Sequence, residues 1–334
     1  MNESVMDSQV KPTNKNKSPK AIIRDSGIGI ALVVLIIIFS MSSEHFLAPN
    51  NITNILTQIT INLILAVGLT FVILIAGIDL SVGSVLAFAA IVAGKAITWP
   101  GLDPGVAIVF AVLAALLAGT LCGLLNGLIS AYWGLPSFII TLGMLNIARG
   151  GALHISEAQT IYSFPEQFND FGSATLMGIP VVFLVGLSLV AIAWFVLHKT
   201  VFGRMIYGIG SNEEAVRLAG HPVFWYKVAA FTICGLTAGV AAIVYMARLN
   251  ISSPIAGVGF ELNAIAAVII GGTSLMGGRG SIIGTLLGAF IIGVLANGLI
   301  LLGLNDFMRQ MITGLVIIVA VVLDHYREKY TGAN

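Results

Sequence analysis

Gly210 to Gly220 reads GSNEEAVRLAG and places two carboxylates and a guanidinium, Glu213, Glu214 and Arg217, within five positions. Glu213 and Arg217 stand four apart, the spacing that pairs charges on a helix surface. Ser211 or Asn212 precedes them as a helix cap, with both acids in the first turn. A short amphipathic helix is therefore expected over 212–219, with Val216 and Ala219 on a separate face from the ion pair. Such a segment offers recognition rather than bond chemistry. Together with Lys199, Arg204 and Lys227 it forms a charged island between two apolar runs long enough to cross a bilayer. A soluble partner that pushes on a membrane protein would grip a loop of this kind.

A second set of polar groups lies inside the apolar runs, where each must have a reason to be tolerated. These are Asn62, Asn126, Asn146, Glu261, Asn263 and Asn297. Glu261 is placed to open a helix whose dipole it complements. The segment AGIDLSVGS (Ala76 to Ser84) interrupts two apolar stretches. Asp79 or Ser81 is suited to cap the next helix, or Asp79 lies near the cytoplasmic end of a translocation path. GGTSLMGGRGS (Gly271 to Ser281) interrupts another pair of stretches in the same way. Asn62, Asp79, Asn126, Glu261, Asn263 and Asn297 are the candidate pathway residues. A further pattern, Ala111, Ala115, Gly119, Gly123 and Gly127, lines one helical face with small residues, which in lipid favours a packing seam.

Several chemistries find no matching residues. No GxxxxGK[ST] phosphate loop occurs, so the chain is not read as hydrolysing ATP itself. The five histidines never take the spacing of a zinc-hydrolase helix, and Cys122 and Cys234 show no CxxC spacing. No serine has a histidine in a plausible neighbouring span, and no chain of buried acids suggests a proton relay. The expectation is a non-enzyme with no metal or cofactor of its own.

The elements that must position these groups follow from composition. Of 334 residues, 57% are hydrophobic and 9% charged, against about a quarter charged in a soluble domain. The fold class expected is an all-α integral membrane protein with about ten spans, near 26–43, 53–76, 82–98, 106–132, 136–153, 178–197, 224–246, 261–275, 281–302 and 308–324. Asn62 suggests a broken or curved second span. Positive charge assigns the cytoplasmic side to the polar tail 1–25, the coupling loop 198–222 within the membrane domain 26–324, and the tail 325–334. The tail 1–25 is too polar and poor in aromatics to fold alone. The outer segment 154–177 holds Glu157, Glu166 and Asp170 without lysine or arginine. Arg149 and Arg248 fall near outer ends, where each snorkels or docks an external partner.

GTLCGLLNGLI (Gly119 to Ile129) parallels GTLLGAFIIGVLANGLI (Gly284 to Ile300), five spans later. An odd offset implies an inverted repeat, typical of transporters with a central site. Asn126 and Asn297 occupy matching places, either facing each other across a pathway or bonding neighbouring helices.

The stretches GIDLSVGS, PSFIITLGMLNIARG, VFGRMIYGIGSNEEAVRLAG and FELNAIAAVIIGGTSLMGGRGSIIGTLLGAF together resemble the permease subunits of ATP-binding-cassette importers of the ribose, xylose and arabinose class, over residues 28–324. The resemblance implies the ribose-permease type of fold, in a homodimer within the bacterial inner membrane, both termini cytoplasmic. It also implies cytoplasmic cassette ATPases, often in tandem, that bind ATP and Mg, and a periplasmic or surface-anchored sugar-binding protein. Nucleic acid is not among the partners. By this resemblance Asn212, Glu213, Glu214, Arg217, Leu218, Ala219 and Gly220 form the ATPase-coupling loop, and the cargo is a monosaccharide, ribose-like or related. His221, Asn263 and Arg309 depart from the usual family pattern. The alternative is an ion-coupled secondary transporter, for which Asp79 and Glu261 would carry the ion.

Overall fold

A computed structural model describes residues 19–331. Every apolar run named above becomes a helix: α1 (Pro19–Ser42), α2 (Pro49–Leu74), α3 (Val82–Ile97), α4 (Pro104–Trp133), α5 (Ser137–Ser156), α7 (Val181–Lys199), α9 (Val223–Leu249), α10 (Phe260–Ile270), α11 (Ile282–Leu301) and α12 (Asp306–Thr331). Two further helices, α6 (Glu166–Ser173) and α8 (Val201–Leu218), lie between them. Among the described residues six helices (α2, α4, α5, α7, α9 and α11) are long and apolar enough to cross a membrane. Four apolar helical stretches are shorter: Gly27–Ser42, α3, α10 and Phe307–Val319. The expected tail 1–25 lies outside the described residues as far as position 18, α1 beginning at Pro19, and of the tail 325–334 the last three residues lie outside. Asn62 does not break its span, since α2 is one uninterrupted helix.

α2 is apolar on nearly all sides and almost wholly buried from Ile59 to Leu74, so it forms the centre of the bundle. α9 packs on it and on α4. The small-residue face of α4 lies against Gly235 and Gly239 of α9. A methyl on Gly123 would come within 2.9 Å of the Gly235 Cα, and one on Gly239 within 2.7 Å of the Ala115 carbonyl. The stripe is thus a packing seam, as its spacing predicts.

Four short strands gather at one end of the bundle. β1 (Ile161–Tyr162) pairs antiparallel with β4 (Ile251–Ser252), and β2 (Thr175–Leu176) with β3 (Ile179–Pro180). At the opposite end, where α2 stops, the irregular segments 75–81 and 271–281 meet α8.

α3 and α10 each span only part of the bundle's depth, and each follows irregular backbone. Near the far end of α3, Ser252 donates to the Ala90 carbonyl, and Gly94 touches Ser252 and Ile161. Its first turn, at Gly83, abuts Gly257 and Glu261 at the start of α10. From Gly83 to Gly94 is about 16 Å of helix, and α10 covers about 16 Å toward the opposite end. The contact therefore lies near the middle of the bundle's depth. Arg149 of α5 holds the segment before α10, donating to the carbonyls of Pro254 (2.7 Å) and Ala256 (2.8 Å).

Candidate functional site

The charged island is built as two helical pieces with a joint between them. Thr200 separates α7 from α8: its hydroxyl donates to the Val196 carbonyl (2.6 Å) and accepts from the Gly203 N–H (3.2 Å). Within α8 the backbone leaves helical geometry at Asn212 (φ −161°, ψ 95°). There the Asn212 side-chain oxygen accepts the Ala215 N–H at 2.9 Å and caps a second, shorter piece. Asn212 rather than Ser211 is the cap, because the Ser211 hydroxyl donates backward to the Tyr207 carbonyl (2.9 Å).

The short piece carries its charges outward. Arg217 bridges Glu213 (2.9 Å) and Glu214 (3.2 Å), and Lys227 in the first turns of α9 meets Glu213 at 2.6 Å. Such exposed pairs contribute at most about 1 kcal/mol each, so their value is orientation rather than stability. Val216 packs inward against the core while Ala219 is exposed. Leu218 is 80% exposed, and with Ala219 and Gly220 it forms an uncharged tip beside the ion pairs. Gly220 has φ +82°, a left-handed turn that ends the helix without strain only in glycine.

The root of the island fits against the bundle with no side chains between. Gly210 faces the Leu74 carbonyl and the Gly278 amide, and Gly278 donates its N–H to that same carbonyl at 2.8 Å. Tyr207 donates its phenol to the Gly280 carbonyl (3.0 Å), and burial lifts its pKa, so it stays a donor.

The candidate pathway residues do not converge on one spot. Asp79 is buried, and its Oδ1 accepts both the N–H (2.8 Å) and hydroxyl (2.6 Å) of Ser81. Ser81 occupies the cap position of α3 without a side-chain capping bond, because its hydroxyl is committed to Asp79. Asn126 donates to the same hydroxyl (3.0 Å), leaving its Oδ1 without a protein partner. Asn297 instead exchanges amide bonds with Asn51 of α2 at 3.0 Å each way. The two repeat asparagines thus do not face each other; each bonds a neighbouring element. Asn62 is half-buried with an unpartnered Oδ1, and Asn263 is half-buried on α10. Glu261 stands in the first turn of α10, as expected, and accepts the Gly259 N–H at 3.3 Å. Of the two outer arginines, Arg149 is taken up by the clamp on Pro254 and Ala256, while Arg248 is half-buried in the last turn of α9.

Tyr207, Gly210, Gly278 and Lys227 were not singled out as site residues from sequence. Only the glycine density of 271–281 signalled close approach, and it did not say to what. Among the described residues no cluster of three or more metal-binding side chains occurs.

The family model described as "Branched-chain amino acid transport system / permease component" matches residues 51–321. A ribose import permease of Escherichia coli is 43% identical over 92% of this chain and 96% of its own length. The ribose import permease of Bacillus subtilis is 42% identical over 95% of this chain and 97% of its own. A D-allose transport system permease of Escherichia coli is 40% identical over 91% and 92%. No solved structure matches the chain.

Proposed function

We propose a role for this chain from its family: it belongs to the permease components of the branched-chain amino acid transport type, so it is a multi-pass membrane part of a transporter and not itself a catalyst. The cargo proposed is a monosaccharide, a ribose-like pentose or a related sugar, carried inward across the bacterial inner membrane. Relatives that are 40 to 43% identical over nine-tenths of the chain are ribose and allose permeases, which favours sugar over the amino acids in the family's description. Separate cassette ATPases would bind ATP and Mg, and an external sugar-binding protein would deliver the cargo.

The observation that carries this reading is the capped, charged and outward-facing helix at 213–218, in close backbone contact with the bundle at its root. A soluble ATPase that seats Leu218, Ala219 and Gly220 beside the Glu213–Arg217 and Glu214–Arg217 pairs would have a handle on the membrane part. Asn212 sets the angle of that handle. This end of the bundle is then cytoplasmic, as the lysines and arginines of the island favour. The acids an ion-coupled transporter would need already have partners: Asp79 in Ser81, and Glu261 in the Gly259 amide.

Ten membrane elements in two inverted halves are the architecture proposed. Support comes from matched packing five elements apart: α3 on α4 as α10 on α11, α4 on α9 as α11 on α2, and α3 on α9 as α10 on α2. The crossed half-helices α3 and α10, starting together at mid-depth from opposite sides, fit such a pair of halves.

A second copy of the chain completes the structure in this reading. The irregular segment 253–259 runs near mid-depth, yet Ile255 is 66% and Val258 70% exposed. Irregular backbone at that depth is tolerated only against protein or beside a water-filled path, not against lipid. A homodimer with the sugar passing beside 253–259 satisfies that condition.

The test is purification from native membranes in mild detergent, followed by reconstitution with whatever ATPase remains bound and uptake of labelled D-ribose and D-allose. A retained cassette ATPase and uptake of either sugar are expected. In a variant lacking both native cysteines, Val258→Cys should cross-link to its own copy. A chain that binds no ATPase in several gentle lipids removes the importer reading, and absence of the cross-link in an active preparation removes the placement of the interface.

A further inference from the structure

We infer that Gly210 of α8 is the joint through which the coupling helix drives the mid-depth contact between Gly83 and Gly257, by two separate routes. The inference rests on the proposed coupling role of 213–218.

Gly210 lies two residues before the break at Asn212, so whatever moves the short helical piece bears first on this position. A Cβ there would collide with the Leu74 carbonyl oxygen and the Gly278 amide nitrogen. The Gly278 N–H donates to Leu74 at 2.8 Å, and a Cβ on Gly277 would meet the Gly210 Cα at 3.0 Å and the Ala76 nitrogen at 2.8 Å. Three backbones therefore meet with no rotatable side chain between them. A displacement cannot be absorbed by rotamer changes, as it would be across a layer of leucines. Gly277 (φ +82°) and Gly278 (φ +72°) both hold left-handed geometry, so their stretch of chain is shaped for this contact and not for a helix. Tyr207, one turn back, adds the bond to Gly280.

Both partners of Gly210 lead to the same place. From Leu74 the chain runs through 75–81, held by side-chain hydroxyls rather than a backbone ladder: Ser137 accepts the Ile78 N–H (2.9 Å) and Thr141 accepts the Leu80 N–H (3.1 Å). That segment ends at the first turn of α3, where Gly83 sits. From Gly278 the chain runs back through 271–277 to α10, whose opposite end touches Gly83 through Gly257 and Glu261. A push on α8 thus reaches the Gly83–Gly257 contact from two sides, along 75–81 and along α10. That contact borders the segment on which the proposed path depends.

The test compares Gly210→Ala and Tyr207→Phe with wild type in proteoliposomes holding the complete importer, reading D-ribose or D-allose uptake and ATP hydrolysis together. Gly210→Ala should lower sugar moved per ATP at least about tenfold while the ATPase stays bound and hydrolyses. Tyr207→Phe removes one hydroxyl and leaves the fold intact, and should lower the same ratio about fivefold, the weight of a single hydrogen bond. Equal loss of uptake and of ATPase binding in Gly210→Ala, or an unchanged ratio in Tyr207→Phe, overturns the joint. A wild-type complex that moves sugar while the Glu213→Arg, Glu214→Arg chain does so equally well overturns the coupling role itself, and the joint with it.

Discussion

Two regions of this molecule bring backbones together through glycine, and they do so for opposite ends. In the α4–α9 seam, Gly119, Gly123, Gly235 and Gly239 all have helical geometry, and the contact extends along two long helices. Around Gly210, the partners are a helix end and two irregular segments, with Gly277 and Gly278 in left-handed conformations and a handful of hydrogen bonds. The first contact is long, apolar and repeated at every turn, so it moves as one body. The second is a point contact between three chain segments, so it can pivot. Close approach by itself does not distinguish a rigid seam from a joint; the conformation and continuity of the flanking chain do.

The largest effect should come from crowding the seam. Gly235→Leu would drive a side chain into the Gly119 carbonyl and the Gly123 backbone, separating two helices along their length. Overpacking on that scale costs about 3 kcal/mol or more. Loss of monodisperse, protease-resistant protein in detergent is expected, and recovery at wild-type yield would mean that the seam is loose.

Next in size, Glu213→Arg with Glu214→Arg should abolish coupled uptake, by tenfold or more, with membrane insertion unchanged, because both acids project from the bundle. Uptake is compared at equal protein level; unchanged transport would leave the pivot without a driver.

A smaller effect is expected at a polar contact between two other helices. The Thr70 and Thr285 hydroxyls meet at 2.8 Å between α2 and α11. A double-mutant cycle with Thr70→Val and Thr285→Val should give a coupling of about 0.6 kcal/mol, the average for bonds between membrane helices. The readout is unfolding in mixed micelles, and a coupling near zero would mean that these helices are held by packing alone.

Smallest of all, Arg217→Ala should leave thermal stability within about 0.5 kcal/mol of wild type, since its side chain is 59% exposed and its ion pairs are solvated. A larger drop in melting temperature without the ATPase would place the charge network inside the folding core rather than at a docking surface.

Much of this arrangement was legible in order of residues. Ten apolar runs became ten helices, the four-residue small stripe of α4 became a seam, and Asn212, Glu213 and Arg217 took up the cap and ion pair that their spacing demands. These features depend on neighbours within one or two helical turns. The motifs quoted for the permease resemblance likewise lie in continuous stretches. Distance in space is where the sequence leaves alternatives open: Asn126 and Asn297 match in sequence, and of the two arrangements it permits the structure takes bonds to neighbouring elements, Ser81 for one and Asn51 for the other. Arg149 looked like an outward-reaching charge, but two inward carbonyls on the segment before α10 claim it.

The sequence by itself thus determined the membrane class, the helices, the charged helical piece at 213–218 and its cap, because hydropathy over 20 residues and hydrogen bonding over three or four are local properties. Only the tertiary structure decided that the end of α2 and the segment 271–281 close on α8 at Gly210, and that the half-helices meet at Gly83 and Gly257. Glycine in a sequence permits close approach by lacking a side chain; it cannot name the backbone that will come near. That choice belongs to the packing of helices far apart in the chain.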